Sequence, residues 1–254
     1  MNTAQVAQFY NDLLNINSFA ADPSNNGLQV CGNENKICRK AAFAVDASLA
    51  SIEKALQENA DILIVHHGLS WGGGIRRWNG TTGKRFAAMF QGDLSLYAMH
   101  LPLDAHSVHG NNARLADFAG LTIREMFFPY HGMDIGVIGK VSATNADAVA
   151  AAAARGKEFK LYTSPLKSGK VEKIAIISGG GGMDGLECAI AAGADMLITG
   201  EFDHTMYHIV QENNIHVAAL GHYNSEVHGV QSLQSVAEKE LNLETVFIDI
   251  PTGL

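Results

Sequence analysis

Short apolar runs of β character alternate with helix-period segments along this chain, and that alternation constrains its fold more than any other feature. AAFAV (41–45), DILIVHH (61–67) and LSLYAMH (94–100) read as strands. Each is followed by a loop and a helical pattern, over residues 48–58, 81–91 and 111–119. A first helix over 3–14 takes Thr3 as its cap and places Val6, Phe9, Leu13 and Leu14 on one face. A second cycle starts near residue 135 with GVIGKVS, an Ala-rich helix closed by Gly156, then FKLYTS and KIAIIS. It continues through a helix at 183–192, MLIT, a helix at 203–213, HVAAL, a long helix at 223–240 and TVFIDI. This repetition predicts an α/β protein, with two similar α/β lobes whose mixed, largely parallel sheets are flanked by helices. The expected lobes are residues 1–128 plus 241–254 and residues 129–240, with FFPYHGMD (127–134) as the boundary and the chemistry between the lobes.

Open α/β sheets bind ligands at the carboxyl ends of their strands, and the histidines gather there. The chain has 11 of them in 254 residues. His66 and His67 close DILIVHH before Gly68, which stops the strand and lets both imidazoles converge. His100 and Asp104 follow LSLYAM, where Pro102 predicts an extended turn in place of a helix. His222 and Glu226 stand four apart where HVAAL gives way to a helix, so they share one face. Singly, an HH pair reads as a polar strand end and an i,i+4 pair as a surface contact. Together, three imidazoles and two carboxylates at strand ends form a nitrogen–oxygen donor set suited to zinc, iron, manganese or nickel. Five ligands exceed what one catalytic zinc takes, which points to two divalent ions per subunit. His100 is read as a proton carrier beside this set, against the alternative of a satisfied core histidine.

Composition excludes other classes. The 18 Lys and Arg against 26 Asp and Glu give a net charge of −8, which disfavours nucleic acid as a partner. No run of about 18 apolar residues predicts a membrane span. The N-terminal stretch lacks a basic region and carries Asp12 within its apolar pattern, so it is not read as a signal peptide. Three cysteines without CxxC spacing predict reduced thiols and a cytoplasmic location.

The segments DPSNNGLQV (22–30), AVDAS (44–48), DILIVHHG (61–68), HLPLD (100–104), GGGGMDG (179–185), ITGE (198–201) and GHYNSE (221–226) resemble, in colinear order, those of the Nif-three-like dinuclear-metal proteins. Members of that family are often labelled GTP cyclohydrolase I type 2 homologues. The resemblance implies a two-lobed α/β fold, a toroidal homohexamer, and His66, His67, Asp104, His222 and Glu226 as metal ligands. It also implies a metal-dependent hydrolase of a small, anionic, nucleotide-like substrate, opening a ring as the label suggests.

Two alternatives stand beside that expectation. One is a non-catalytic metal-binding or regulatory ring protein. The other is an NAD-type oxidoreductase, because Gly180, Gly182 and Gly185 spell GxGxxG after a strand and Glu201 follows the next one. His204 and His208, His106 and His109, and His131 and His228 are read as surface or interface positions. Trp71 and Trp78 flank a Gly- and Arg-bearing loop, read equally as a lid or a subunit contact. Ser48 and Ser225 lack a base at nucleophile-elbow spacing, which argues against a serine hydrolase.

Overall fold

Asn2, one residue ahead of the expected cap, starts the first helix. Its side chain accepts the Gln5 N–H at 2.8 Å while the Gln5 side chain accepts the Asn2 N–H at 2.9 Å. This reciprocal cap satisfies two otherwise orphaned donors and sets the phase of α1 (Thr3–Leu13), which buries Thr3, Val6, Ala7 and Tyr10. In the computed structural model, which describes residues 1–167 and 169–254, the chain falls into two units. Unit 1 is Met1–Leu103 with Val230–Ile250; unit 2 is Asp104–Gly229 with Pro251–Leu254.

Unit 1 continues through β1 (Gly27–Val30), β2 (Lys40–Asp46), α2 (Leu49–Gln57), β3 (Ile62–His67), α3 (Gly80–Gln91) and β4 (Ser95–Ala98). A short helix, α4 (Leu101–Ala105), follows. The expected extended turn at Pro102 is therefore a helical turn. Proline is tolerated there because a first-turn N–H has no intrahelical acceptor anyway. Numbered in chain order, unit 2 holds α5 (Asn111–Phe118), β5 (Thr122–Tyr130), β6 (Met133–Thr144), α6 (Ala146–Ala154), β7 (Lys160–Tyr162), β8 (Val171–Ile177), α7 (Gly182–Ala191), β9 (Met196–Thr199), α8 (Met206–Glu212) and β10 (His216–Ala219). The last helix, α9 (His222–Glu240), begins in unit 2, and β11 (Glu244–Phe247) belongs to unit 1.

The unit 1 sheet runs β1-β4-β3-β2-β11, parallel throughout except for the antiparallel β1–β4 pair. Its inner strands are continuous apolar runs because helices cover the sheet. Leu63, Val65 and Leu96 pack with Ile52 of α2 and with Phe86 and Met89 of α3. Burying each such side chain contributes about 1.5–3 kcal/mol. The unit 2 sheet runs β5-β6-β8-β9-β10-β7, with β8, β9 and β10 parallel and the other pairs antiparallel. The segment 127–134 forms the closed end of the β5–β6 hairpin, where His131 and Gly132 take positive φ. Both sheets are mixed and flanked by helices, as the alternation predicts.

His216, at the start of β10, ties that strand to the loop after β7. Its Nδ1 accepts the Ser164 N–H at 3.1 Å, which requires the neutral ring. Burial, reinforced by Lys167, holds its pKa below the ordinary value against the opposing pull of Asp195. The folded state therefore takes up this proton at lower pH than the unfolded chain does. Stability from this group is fully present above pH 6.5 and is lost as pH falls below it. In urea unfolding, the midpoint of His216→Asn, whose amide oxygen can accept the same N–H, is expected to fall less between about pH 7.5 and 5.5 than that of the unsubstituted protein. Equal falls would remove His216 as a cause.

Candidate functional site

In unit 1 the parallel strands β2, β3 and β4 bring their carboxyl ends to one edge, and three histidines collect there. His66 is fully buried, and its Nδ1 lies 2.9 Å from the Met99 carbonyl oxygen. A carbonyl only accepts, so Nδ1 carries the proton and the lone pair sits on Nε2. His67 stands in register with Asp46 on the neighbouring strand, and its Nδ1 lies 2.9 Å from Asp46 Oδ1. His100 Nδ1 lies 2.9 Å from Asp22 Oδ1. One ring nitrogen from each of His66, His67 and His100 lies within 4.8 Å of the others. Carboxylates and carbonyls behind imidazoles, fixing tautomer and ring orientation, are the usual outer partners of metal-ligating histidines. Gly68 is needed for this crowding, since a Cβ there would lie 2.5 Å from Ala98 Cβ.

In unit 2 the carboxyl ends of β8, β9 and β10 supply Gly179, Glu201 and His222. His222 is held on both sides, with Nδ1 2.6 Å from Glu201 Oε1 and Nε2 3.2 Å from Glu226 Oε1. The hydrogen bond to Glu226, opposed by burial and aided by Glu201, raises the His222 pKa to about 9. Asp104 and Glu226 are both buried, and their carboxylates approach within 4.8 Å of each other. Asp104 Oδ1 accepts from Asn111 Nδ2 at 2.9 Å and from the Ser178 hydroxyl at 3.0 Å, which fixes its orientation. Gly179, at φ +62°, leaves the room that the Glu226 carboxylate fills, since a Cβ there would run into Glu226 Oε1 and approach His222 Nε2 at 3.3 Å.

Of the five residues that the resemblance marks, His66 and His67 belong to unit 1, and Asp104, His222 and Glu226 to unit 2. Imidazole nitrogens with their Nδ1 anchored and carboxylates with their donors fixed suit a divalent cation of borderline softness. The partners Asp22, Asp46 and Glu201 carry no metal-spacing signal of their own. Only strand register and loop placement bring them to their histidines.

The glycine-rich turn has another explanation than dinucleotide binding. Gly182 adopts φ +58°, and Gly185 lets α7 sit close on Ile177, where a Cβ would meet Cδ1 at 2.7 Å. Glu201, the acidic residue that completes that pattern, holds His222. His204, His208 and His131 are exposed, and His228 packs edge-on against Phe118 at 4.8 Å between centroids. The His106 and His109 rings lie 5.2 Å apart within one turn. Ser48 caps α2, and Ser225 Oγ accepts the Gly179 N–H at 2.9 Å, so both hydroxyls are structural. Trp71 hydrogen-bonds the Gly68 carbonyl and sets its ring edge-on to His100 at 4.9 Å, whereas Trp78 packs on Phe86. Among the described residues no helix is long and apolar enough to cross a membrane.

The family model described as Duf34/NIF3 (NGG1p interacting factor 3) matches residues 1–253. A relative from Archaeoglobus fulgidus, named "GTP cyclohydrolase 1 type 2 homolog", is 46% identical over 254 residues, covering all of both chains. One of the same name from Pyrococcus horikoshii is 41% identical over 263 residues, again covering both chains fully. Among solved structures, TTHA1606 from Thermus thermophilus superposes with a TM-score of 0.88 at 35% identity over the whole of both chains.

Proposed function

Because the chain belongs to the Duf34/NIF3 family, we propose that it is a metal-dependent hydrolase of a small, anionic, nucleotide-like substrate, with His66, His67, Asp104, His222 and Glu226 as ligands of two divalent ions. The observation that carries the proposal is the anchoring of the histidines, with Met99, Asp46 and Glu201 each fixing an Nδ1. The name shared by the curated relatives favours ring opening of a guanine nucleotide. Two divalent cations would supply a Lewis acid and a water acidic enough to ionise near neutral pH. The protein's own part is to hold the donors. Ser178 and Asn111 orient Asp104, Glu201 orients His222, and the carboxylates give the negative charge that attracts cations. The resemblance also supports a homohexameric ring, and the three cysteines without CxxC spacing support a cytoplasmic location.

A non-catalytic metal-binding protein is the second reading, favoured by the relatives' printed names, which stop at "homolog". The test is metal content per chain on native purification, followed by turnover of GTP and a panel of nucleotides and phosphoesters. About two ions per chain with turnover of a nucleotide supports the hydrolase. Metal without turnover supports the second reading, and content well below that removes the dinuclear assignment.

A further inference from the structure

The Asp22–Asn26 loop carries a buried carboxylate that the five-ligand reading leaves without a task. β1 runs antiparallel to β4 with Gly27 opposite Ala98, so the loop ahead of β1 lies beside the end of β4, where His100 stands. The Asp22 side chain is fully buried. A buried carboxylate is costly unless its oxygens are satisfied, and Asp22 receives four donors. Oδ1 takes the Ser24 N–H at 2.8 Å and His100 Nδ1 at 2.9 Å, and Oδ2 takes Asn26 Nδ2 at 2.8 Å and the Leu101 N–H at 2.9 Å. Asn26 Oδ1 also accepts the His100 backbone N–H at 2.8 Å. Ring and backbone of one histidine are thus fixed by a single loop. Burial would raise the Asp22 pKa, but the bonds from His100 and Asn26 bring it below the ordinary value.

The fixed ring is turned toward the other two. Ring centroids lie 4.5 Å apart for His66 and His67, 5.2 Å for His66 and His100, and 5.8 Å for His67 and His100. Each Nδ1 faces an oxygen acceptor, which leaves the three Nε2 atoms as the nitrogens to offer a cation. This is the orientation a tri-imidazole metal face requires. We propose that His100 is a further nitrogen ligand, giving unit 1 a three-histidine face for one divalent cation, with Asp22 as its positioning residue. The proposal rests on His66 and His67 being ligands, and it replaces the proton-carrier role expected for His100.

The test uses the full chain, stripped with chelator and reloaded with Cu²⁺ for pulsed electron paramagnetic resonance, or with Zn²⁺ for affinity by competition. The unsubstituted protein should show one more coupled imidazole than His100→Ala at equal loading. Asp22→Asn, which preserves shape but loses the anionic acceptor, should weaken Zn²⁺ binding by about 10–100-fold, the usual cost of removing an outer partner. Added imidazole should restore the missing coupling in His100→Gly. A folded His100→Ala with the same imidazole count and the same Zn²⁺ affinity overturns the proposal while leaving the five-ligand reading intact. An unsubstituted protein that binds neither ion overturns both. Should His100→Ala fail to fold, Asp22→Asn decides: Zn²⁺ affinity unchanged within about twofold overturns the proposal.

Discussion

Alanine in place of His222 is expected to strip the protein of metal and of turnover together. The ring sits between Glu201 and Glu226, so its loss removes a nitrogen donor and leaves two carboxylates without their shared partner. Glu226 is buried, and a buried carboxylate that loses its charged neighbour destabilises the fold. The variant should therefore melt below the unsubstituted protein and lose more than about a hundredfold in metal affinity, beyond the cost of an outer-partner substitution. Metal content by elemental analysis and turnover on the nucleotide panel check this. Full metal content in the variant would show that His222 is not a ligand. Normal turnover by metal-free protein would remove the metal from the reaction altogether.

The strand ends were legible in the sequence, and their partners were not. β2, β3, β4, β8, β9 and β10 each carry a short apolar run toward the carboxyl end, followed by glycine or a polar residue, so His66, His100 and His222 could be placed at strand ends by pattern alone. Two strands escaped. β1 (GLQV) has no apolar run, since Gly27 and Gln29 interrupt it, and β5 is a mostly exposed edge strand containing Pro129, with no clean alternation to read. At Pro102 the local rule pointed the wrong way, because a proline in a first turn favours a helix start. Asp46 meets His67 through strand register across 21 positions, and Asp22 meets His100 across 78. Nothing in residue type or spacing encodes such pairings, which exist only once the sheet order is known. Glu201 was visible but fitted a different pattern, since an acidic residue after a glycine-rich turn suits a ribose as well as an imidazole.

Gly179→Ala is expected to damage the unit 2 donor set more than its size suggests. The residue is at φ +62°, where a Cβ strains the backbone by about 1–3 kcal/mol. The new methyl would also occupy the position of the Glu226 carboxylate. The backbone cannot easily move aside, because the Gly179 carbonyl accepts the N–H groups of Gly200 and Glu201 at 3.0 Å each, and its own N–H is bonded to Ser225 Oγ at 2.9 Å. Glu226 must therefore yield, and with it the contact to His222. Gly182→Ala separates the two effects. Its φ is +58°, almost the same strain, yet no atom lies within 4 Å of its Cβ position. Both variants should lose the thermal stability that the shared backbone strain costs, Gly179→Ala the more for its clash with Glu226, while only Gly179→Ala should lose metal. If Gly182→Ala loses metal as completely, backbone strain explains the effect and Gly179 is not required to make room for Glu226. If Gly179→Ala keeps its full metal content, the Glu226 carboxylate is not a ligand at the position described.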